Sequence, residues 1–169
     1  MRTFRGTFTA HSRRVAIVAA RFNELVVDKL VEGAVACLEG HGVAGDDIDL
    51  VWTPGAFEIP QVARRLASAG SYDAVVCLGA VIRGETAHFD FVAGEAARGI
   101  REAADDTGIP VTFGILTTSN LEQALDRAGG KHGNKGWDAA MAALEMASLL
   151  DSLPKDGAPR DEPQKDDAR

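Results

Sequence analysis

Apolar residues along the chain fall into two alternating kinds of run. Unbroken stretches at Val15–Ala20 (VAIVAA), Ile48–Thr53 (IDLVWT), Ala74–Leu78 (AVVCL) and Val111–Leu116 (VTFGIL) read as strands, and VAIVAA has the continuous apolar pattern of a strand covered on both faces. Between them the apolar positions return at helical spacing: Val26, Val27, Leu30, Val31, Ala34, Val35 and Leu38 in one helix, Ile59, Val62, Ala63, Leu66 and Ala67 in the next. A third helix is predicted from about Phe91 to Thr107, and a last one from about Lys135 to Leu150 carries Ala140, Met141, Leu144, Ala147 and Leu150 on its apolar face. Gly40, Gly42 and Gly70 close the first two helices. A short helix follows Thr117–Asn120, with Ser119 and Glu122 at capping-box spacing, and Gly129-Gly130 breaks it. Thr and Phe alternate within Arg2–Ser12, predicting a short N-terminal edge strand.

This βαβαβαβα alternation predicts an α/β fold. Parallel strands need long crossovers, and right-handed crossover helices cover both faces of the sheet. The expectation is a three-layer αβα sandwich around a four-stranded, parallel, flavodoxin-like sheet, plus the N-terminal edge strand. At 169 residues the chain suits one domain, 1–153, able to bury a core without disulfide or metal. The remaining stretch, 154–169 (PKDGAPRDEPQKDDAR), has three prolines, acidic groups and no large apolar side chain, so it is expected to be disordered. A net charge of −7 argues against nucleic acid, which selects a basic face. Cys37 and Cys77 sit in apolar segments and read as core residues, which suits a reducing, cytoplasmic setting. No run approaches the roughly 20 apolar residues of a membrane span, and no apolar leader is visible.

In such a sheet, ligands gather at the carboxyl ends of the strands, near the switch in strand order. Here those ends are Arg21–Asn23, Pro54–Glu58, Gly79–His88 and Thr117–Asn120. Gly79–Val92 (GAVIRGETAHFDFV) carries the densest chemistry: glycines beside a helix start form an anion site, and His88 adds a side chain that titrates near neutral pH. Gly84-Glu85-Thr86 is either a plain turn or a phosphate cradle built from backbone N–H groups and the Thr86 hydroxyl. The chain lacks GxGxxG and GxxxxGK[ST], so the expected anion is a small phosphate ester rather than a nucleotide. Phe22 is either core or a ring that stacks on a flat heterocycle. Glu58 either accepts hydroxyl hydrogen bonds or simply favours a helix dipole. Arg127, Lys131 and Lys135, around a Gly-rich break, form either a solvated loop or a phosphate clamp. His11, His41 and His132 have no second ligand nearby, so no metal is expected.

Five blocks, ARFNELV, PGAFEIP, LGAVIRGETAHFDFV, FGILTTSNLEQALDRAG and GNKGWDAA, together resemble the 6,7-dimethyl-8-ribityllumazine synthase family over about residues 13–150. The resemblance implies a transferase of riboflavin biosynthesis that condenses 5-amino-6-(D-ribitylamino)uracil with 3,4-dihydroxy-2-butanone 4-phosphate and releases phosphate and water, without metal or organic cofactor. It implies that Phe22 stacks on the pyrimidine, that Ala56, Phe57 and Glu58 bind the ribityl chain, and that Val81 and Ile82 hold the pyrimidine edge through backbone groups. Glu85, Thr86 and Arg127 match phosphate contacts, and His88 matches the acid/base. Phe113, Arg127 and Lys135 match residues supplied by a neighbouring subunit. A homo-oligomer is therefore implied, a pentamer or a hollow icosahedral shell of twelve pentamers, with riboflavin synthase as a candidate partner. RAGGKHGNKG has no insertion, which favours the shell, and Asp138 stands where the family pattern suggests Glu. The competing reading is a non-catalytic flavin- or lumazine-binding storage protein on the same scaffold.

Overall fold

The computed structural model describes residues 1–154. Of the stretch expected to be disordered, all but Pro154 lies outside the described residues. Four parallel strands, β1 (Val15–Ala20), β2 (Ile48–Thr53), β3 (Ala74–Ile82) and β4 (Val111–Thr118), form one sheet in the order β2-β1-β3-β4. The helices are α1 (Glu24–Gly40), α2 (Ile59–Ala67), α3 (His88–Thr107), α4 (Leu121–Arg127) and α5 (Lys135–Ser152). Alternate residues of the inner strands divide the core. Val15, Ile17, Ala19, Val76 and Leu78 pack with α1 and α5 on one face, and Ala16, Val18, Val75 and Cys77 pack with α2 and α3 on the other. This is the three-layer α/β sandwich predicted from the apolar runs. Cys37 and Cys77 are free and buried within it; burial pushes the Cys37 thiol up to about 11, where it is protonated and inert at neutral pH. No described helix is long and apolar enough to cross a membrane.

Several boundaries differ from the pattern reading. β3 continues four residues past Leu78, because Gly79–Ile82 pair in register with Ile115–Thr118 of β4. Of the stretch Gly79–Val92, Gly79–Ile82 is thus strand, Arg83–Ala87 is loop and His88–Val92 is the start of α3. A Cβ on Gly79 would stand 3.2 Å from Ile115 Cδ1, so this glycine serves packing. α3 begins at His88, three residues earlier than expected. The α4 cap is shifted by one residue: Asn120 Oδ1 accepts from Gln123 N at 2.9 Å, and Gln123 Oε1 accepts from Ser119 N at 3.0 Å. After α4, two short strands, β5 (Ala128–Gly130) and β6 (Gly133–Asn134), pair as a small antiparallel ladder.

The N-terminal segment pairs with no strand of this sheet. It runs instead over α5 and the end of α1. Thr7 meets Ser148 Oγ through its backbone N–H at 3.1 Å and its hydroxyl at 3.0 Å, and Ala10 N donates to His41 O at 3.0 Å. Phe8 meets the His41 ring edge-on, and His41 meets Trp137 likewise. Side-chain and cap contacts to helices thus take the place of ladder hydrogen bonds.

Candidate active site

The strand order turns between β1 and β3, since β1 is followed in sequence by its neighbour on one side and later by its neighbour on the other. At that turn a cleft of about 870 Å³ opens beyond the carboxyl ends of β1, β2 and β3. Its walls are the β1–α1 loop with Phe22 and Asn23, the β2–α2 turn Pro54–Glu58, the strand end Ala80–Ile82, and the loop and first turn of α3 with Gly84, Thr86 and His88.

Each wall is fixed by backbone chemistry. Arg21 N donates to Thr53 O at 2.8 Å and Phe22 N to Pro54 O at 3.1 Å, so the β1 and β2 loops move as one. The buried Thr53 hydroxyl donates to Ala19 O at 3.3 Å and Gly55 O at 3.0 Å, closing the turn from below. Glu58 folds back over Gly55, where an added Cβ would stand 3.1 Å from Glu58 Oε2 and crowd the carboxylate. Asn23 has left-handed backbone (φ 64°) and sends its side-chain amide to Ala80 O at 2.7 Å. Arg83 N donates to Thr118 O at 2.8 Å, and the Thr86 hydroxyl accepts weakly from His88 N at 3.4 Å.

The helix starts are unequal. α1, α2 and α3 all begin at the cleft, and none is capped by the side chain of its own N-cap residue; only the long Thr86 hydroxyl contact reaches the first N–H of α3. α4 and α5 begin elsewhere, and each is capped by an asparagine, Asn120 and Asn134. Uncapped first turns leave N–H donors and the positive end of the helix dipole for a ligand, which suits a phosphate or a polyol. Beside those donors stand three weakly packed rings: Phe22 is 72 % exposed, Phe57 56 % and Phe91 70 %. Exposed rings clustered in a cleft mark an interaction site, and their faces can stack on a flat ligand.

Of the residues singled out in the sequence, the cleft brings together Phe22, Ala56, Phe57, Glu58, Val81, Ile82, Thr86 and His88. Glu85 lies exposed in the same loop without lining the cleft. Phe113, Arg127 and Lys135 are not part of it. Phe113 stands exposed on the edge strand β4, Arg127 Nη1 donates to Gln123 O at 3.1 Å, and Lys135 Nζ pairs with Asp138 at 2.6 Å. Asp138, the departure from the family pattern, is thus short enough to close an ion pair with Lys135 within one helix turn. The expected ligand edge at Thr117–Asn120 does not line the cleft either; Thr118 Oγ1 donates to Asn120 O at 3.0 Å and only braces the turn. Asn23, Phe89, Phe91 and Val92 also line the cleft; they lie within stretches the pattern reading marked, but it gave them no role of their own. The usable signal was the spacing of His88, Phe91 and Val92, which share one face once the helix is begun at His88.

Among the described residues no group of three His, Cys, Asp or Glu side chains could hold a metal ion. The cleft's chemistry is therefore that of aromatic surface, open backbone, anion-binding helix starts and one imidazole. A model of the 6,7-dimethyl-8-ribityllumazine synthase family matches residues 12–151, a span that takes in all four parallel strands and every wall of the cleft. By that match the chain belongs to the 6,7-dimethyl-8-ribityllumazine synthase family.

Proposed function

We propose that this protein condenses 5-amino-6-(D-ribitylamino)uracil with 3,4-dihydroxy-2-butanone 4-phosphate to give 6,7-dimethyl-8-ribityllumazine, phosphate and water. The observation that carries the reading is the junction of three uncapped helix starts with exposed Phe22 and with His88 in one cleft. Phe22 stacks on the pyrimidine, and Val81 and Ile82 read its edge through backbone groups. The Ala56-Phe57-Glu58 turn takes the ribityl hydroxyls, with Glu58 as acceptor. Thr86, Glu85 and the first turn of α3 receive the phosphate.

The chemistry follows from those positions. The 5-amino group attacks the ketone carbon, and His88 moves the proton that lets the carbinolamine lose water as an imine. Phosphate then leaves with the C–O bonding pair, its charge met by helix N–H groups. Tautomerisation and attack of the ribitylamino nitrogen on the remaining carbonyl close the ring, with loss of the second water. Holding amine against ketone supplies much of the acceleration, because orientation converts an encounter into an internal reaction.

Phe113, Arg127 and Lys135 lie away from the cleft of their own chain, so in this reading they complete the cleft of a neighbouring copy. The working form is then a homo-oligomer, a pentamer or a shell of pentamers, and a monomer is nearly inactive. Two buried free thiols favour a cytoplasmic setting. The test is direct: mix the purified chain with both substrates and follow lumazine absorbance and phosphate release together. Turnover supports the reading. Tight binding of the pyrimidine without phosphate release supports the storage or binding role instead.

A further inference from the structure

We infer that the side-chain amide of Asn23 is a strut that sets the width of the slot beneath Phe22, which makes Asn23 a positioning residue for the flat, ring-bearing substrate. The inference rests on the function proposed above. The ring of Phe22 is 72 % exposed, so packing does not hold it and its place follows from its backbone. Two hydrogen bonds tie that backbone to the end of β2, from Arg21 N to Thr53 O and from Phe22 N to Pro54 O. Asn23 Nδ2 to Ala80 O, at 2.7 Å, is the bond that reaches across to β3. Ala80 lies two residues beyond the last β1–β3 register pair, Ala19 with Leu78. The amide therefore spans the gap where the ladder between the two strands has ended, one residue before the Val81-Ile82 edge.

What Asn23 gives up marks the role. Three asparagines stand at helix starts in this chain. Asn120 and Asn134 spend their side-chain oxygens on N–H groups of their own helices, the usual use of an N-cap asparagine. Asn23 caps nothing with its side chain, although its carbonyl already accepts from Val26 and Val27 at 2.9 and 3.1 Å. It also adopts φ 64°, ψ 39°, a conformation that asparagine tolerates and most residues do not. That backbone turns the side chain away from α1 and toward Ala80. Local helix stability is traded for a fixed distance between Phe22 and the β3 end.

Three variants of the full-length protein separate this role from a merely structural one. Asn23→Gly keeps the left-handed backbone without steric cost and deletes the strut. Asn23→Asp keeps the shape but sets a carboxylate oxygen against the Ala80 carbonyl. Asn23→Ala loses both features. In Asn23→Gly and Asn23→Asp, KM for the ring-bearing substrate rises about fivefold or more, as loss of one positioning hydrogen bond does. KM for the phosphate-bearing substrate stays within about twofold, because the Thr86 loop is untouched. Asn23→Ala melts lower than both. A wild-type KM for the ring-bearing substrate in Asn23→Gly, or equal rises in both KM values, overturns the inference. If the wild-type protein makes no lumazine, the proposed reaction falls rather than the strut. Amide hydrogen exchange at Phe22 then decides: faster exchange in Asn23→Gly supports the strut, and unchanged exchange overturns it.

Discussion

The guanidinium of Arg83 lies over the ring of Phe89, 4.0 Å from its centroid, and the same group pairs with Asp90 through Nη2 to Oδ1 at 2.9 Å. Phe89 and Asp90 directly follow His88 in the first turn of α3, and Arg83 directly follows β3. The five residues between Arg83 and Phe89, the loop Gly84–Ala87 and His88, are thus stapled at both ends. The charge of Arg83 is met by Asp90, so this arginine is engaged in ordering the loop.

Removing the staple should show in turnover as well as in stability. The pair is half-exposed, and cation–π contacts and surface ion pairs of this kind contribute about 0.5–1 kcal/mol each. Losing both lowers the melting temperature of a chain this long by about 2–8 °C. Arg83→Ala frees the start of α3, and turnover should fall about three- to tenfold, since misplacing a catalytic group is expensive in rate. Arg83→Lys keeps the charge but not the planar stack or the paired donors, and should recover only part of the loss. Steady-state rates set beside thermal melts check both statements.

How much of this could be read from the sequence depends on what fixed each feature. The strands Val15–Ala20 and Ile48–Thr53 were legible to the residue, and β1 because burial on both faces leaves a signature that does not depend on partners. The end of β3 was hidden because Gly79 and Ala80 look like loop residues until their register with Ile115 and Leu116 on β4 is known. Topology pointed to the strand ends Arg21–Asn23, Pro54–Glu58 and Gly79–His88, but on the same ground to Thr117–Asn120, which does not line the cleft, and Val81 and Ile82 were singled out by the family resemblance. Phe89 and Phe91 were missed because a helix begun at Phe91 conceals the face shared with His88. The role of Asn23 depends on a side-chain direction that its spacing does not encode.

Acid should weaken the far end of the sheet through Asp49. The Tyr72 hydroxyl donates to Asp49 Oδ2 at 2.7 Å and Arg14 Nη2 at 2.9 Å, and these two contacts hold the Asp49 carboxyl below its ordinary range. A carboxyl depressed in the folded state stabilises above its ordinary pKa of about 4, and that stabilisation is lost as pH falls through the folded value. Asn at position 49 cannot lose a charge. Wild type should therefore melt above Asp49→Asn at neutral pH and converge with it below about pH 3. The same bond raises the Tyr72 hydroxyl, chiefly through Asp49, so its contribution is present below the ordinary tyrosine pKa of about 10 and is lost as pH rises through the folded value. Thermal melts of wild type, Asp49→Asn and Tyr72→Phe across both limbs test the pair.

The α1–α5 contact should tolerate no side chain at Gly136. A Cβ there would stand 1.9 Å from Leu30 O, a backbone carbonyl inside α1 that cannot swing aside. Alanine gains up to about 1 kcal/mol of helix propensity over glycine, but the overlap forces two packed helices apart, and overpacking of this kind costs about 1–3 kcal/mol or more. The overlap wins. Gly136→Ala should melt about 2–8 °C lower than wild type, as a net loss of about 1–2 kcal/mol over a chain of this length implies. Gly94→Ala, at a helix position with nothing within 4 Å of the added Cβ, should melt at or above wild type and serves as the control.

Catalysis shared between subunits should reveal itself by complementation. His88 lines the cleft while Arg127 stands outside it on α4, so the proposed site needs His88 from one copy and Arg127 from the next. His88→Ala should slow turnover about 10–100-fold without abolishing it, because positioning survives the loss of proton transfer. Arg127→Ala should act mainly on KM for the phosphate-bearing substrate, where a bidentate anion contact is lost. The double variant on one chain should be worse than either. Co-expressed as two single variants, however, the chains assemble at random, and about a quarter of interfaces in a ring recover an intact His88 facing an intact Arg127. Activity of the mixture should then exceed the mean of the two parents, and that excess should vanish when the purified variants are mixed without exchange of subunits. A mixture that gives only the mean of its parents would return Arg127 to its own chain's chemistry and remove the reason for an oligomeric site.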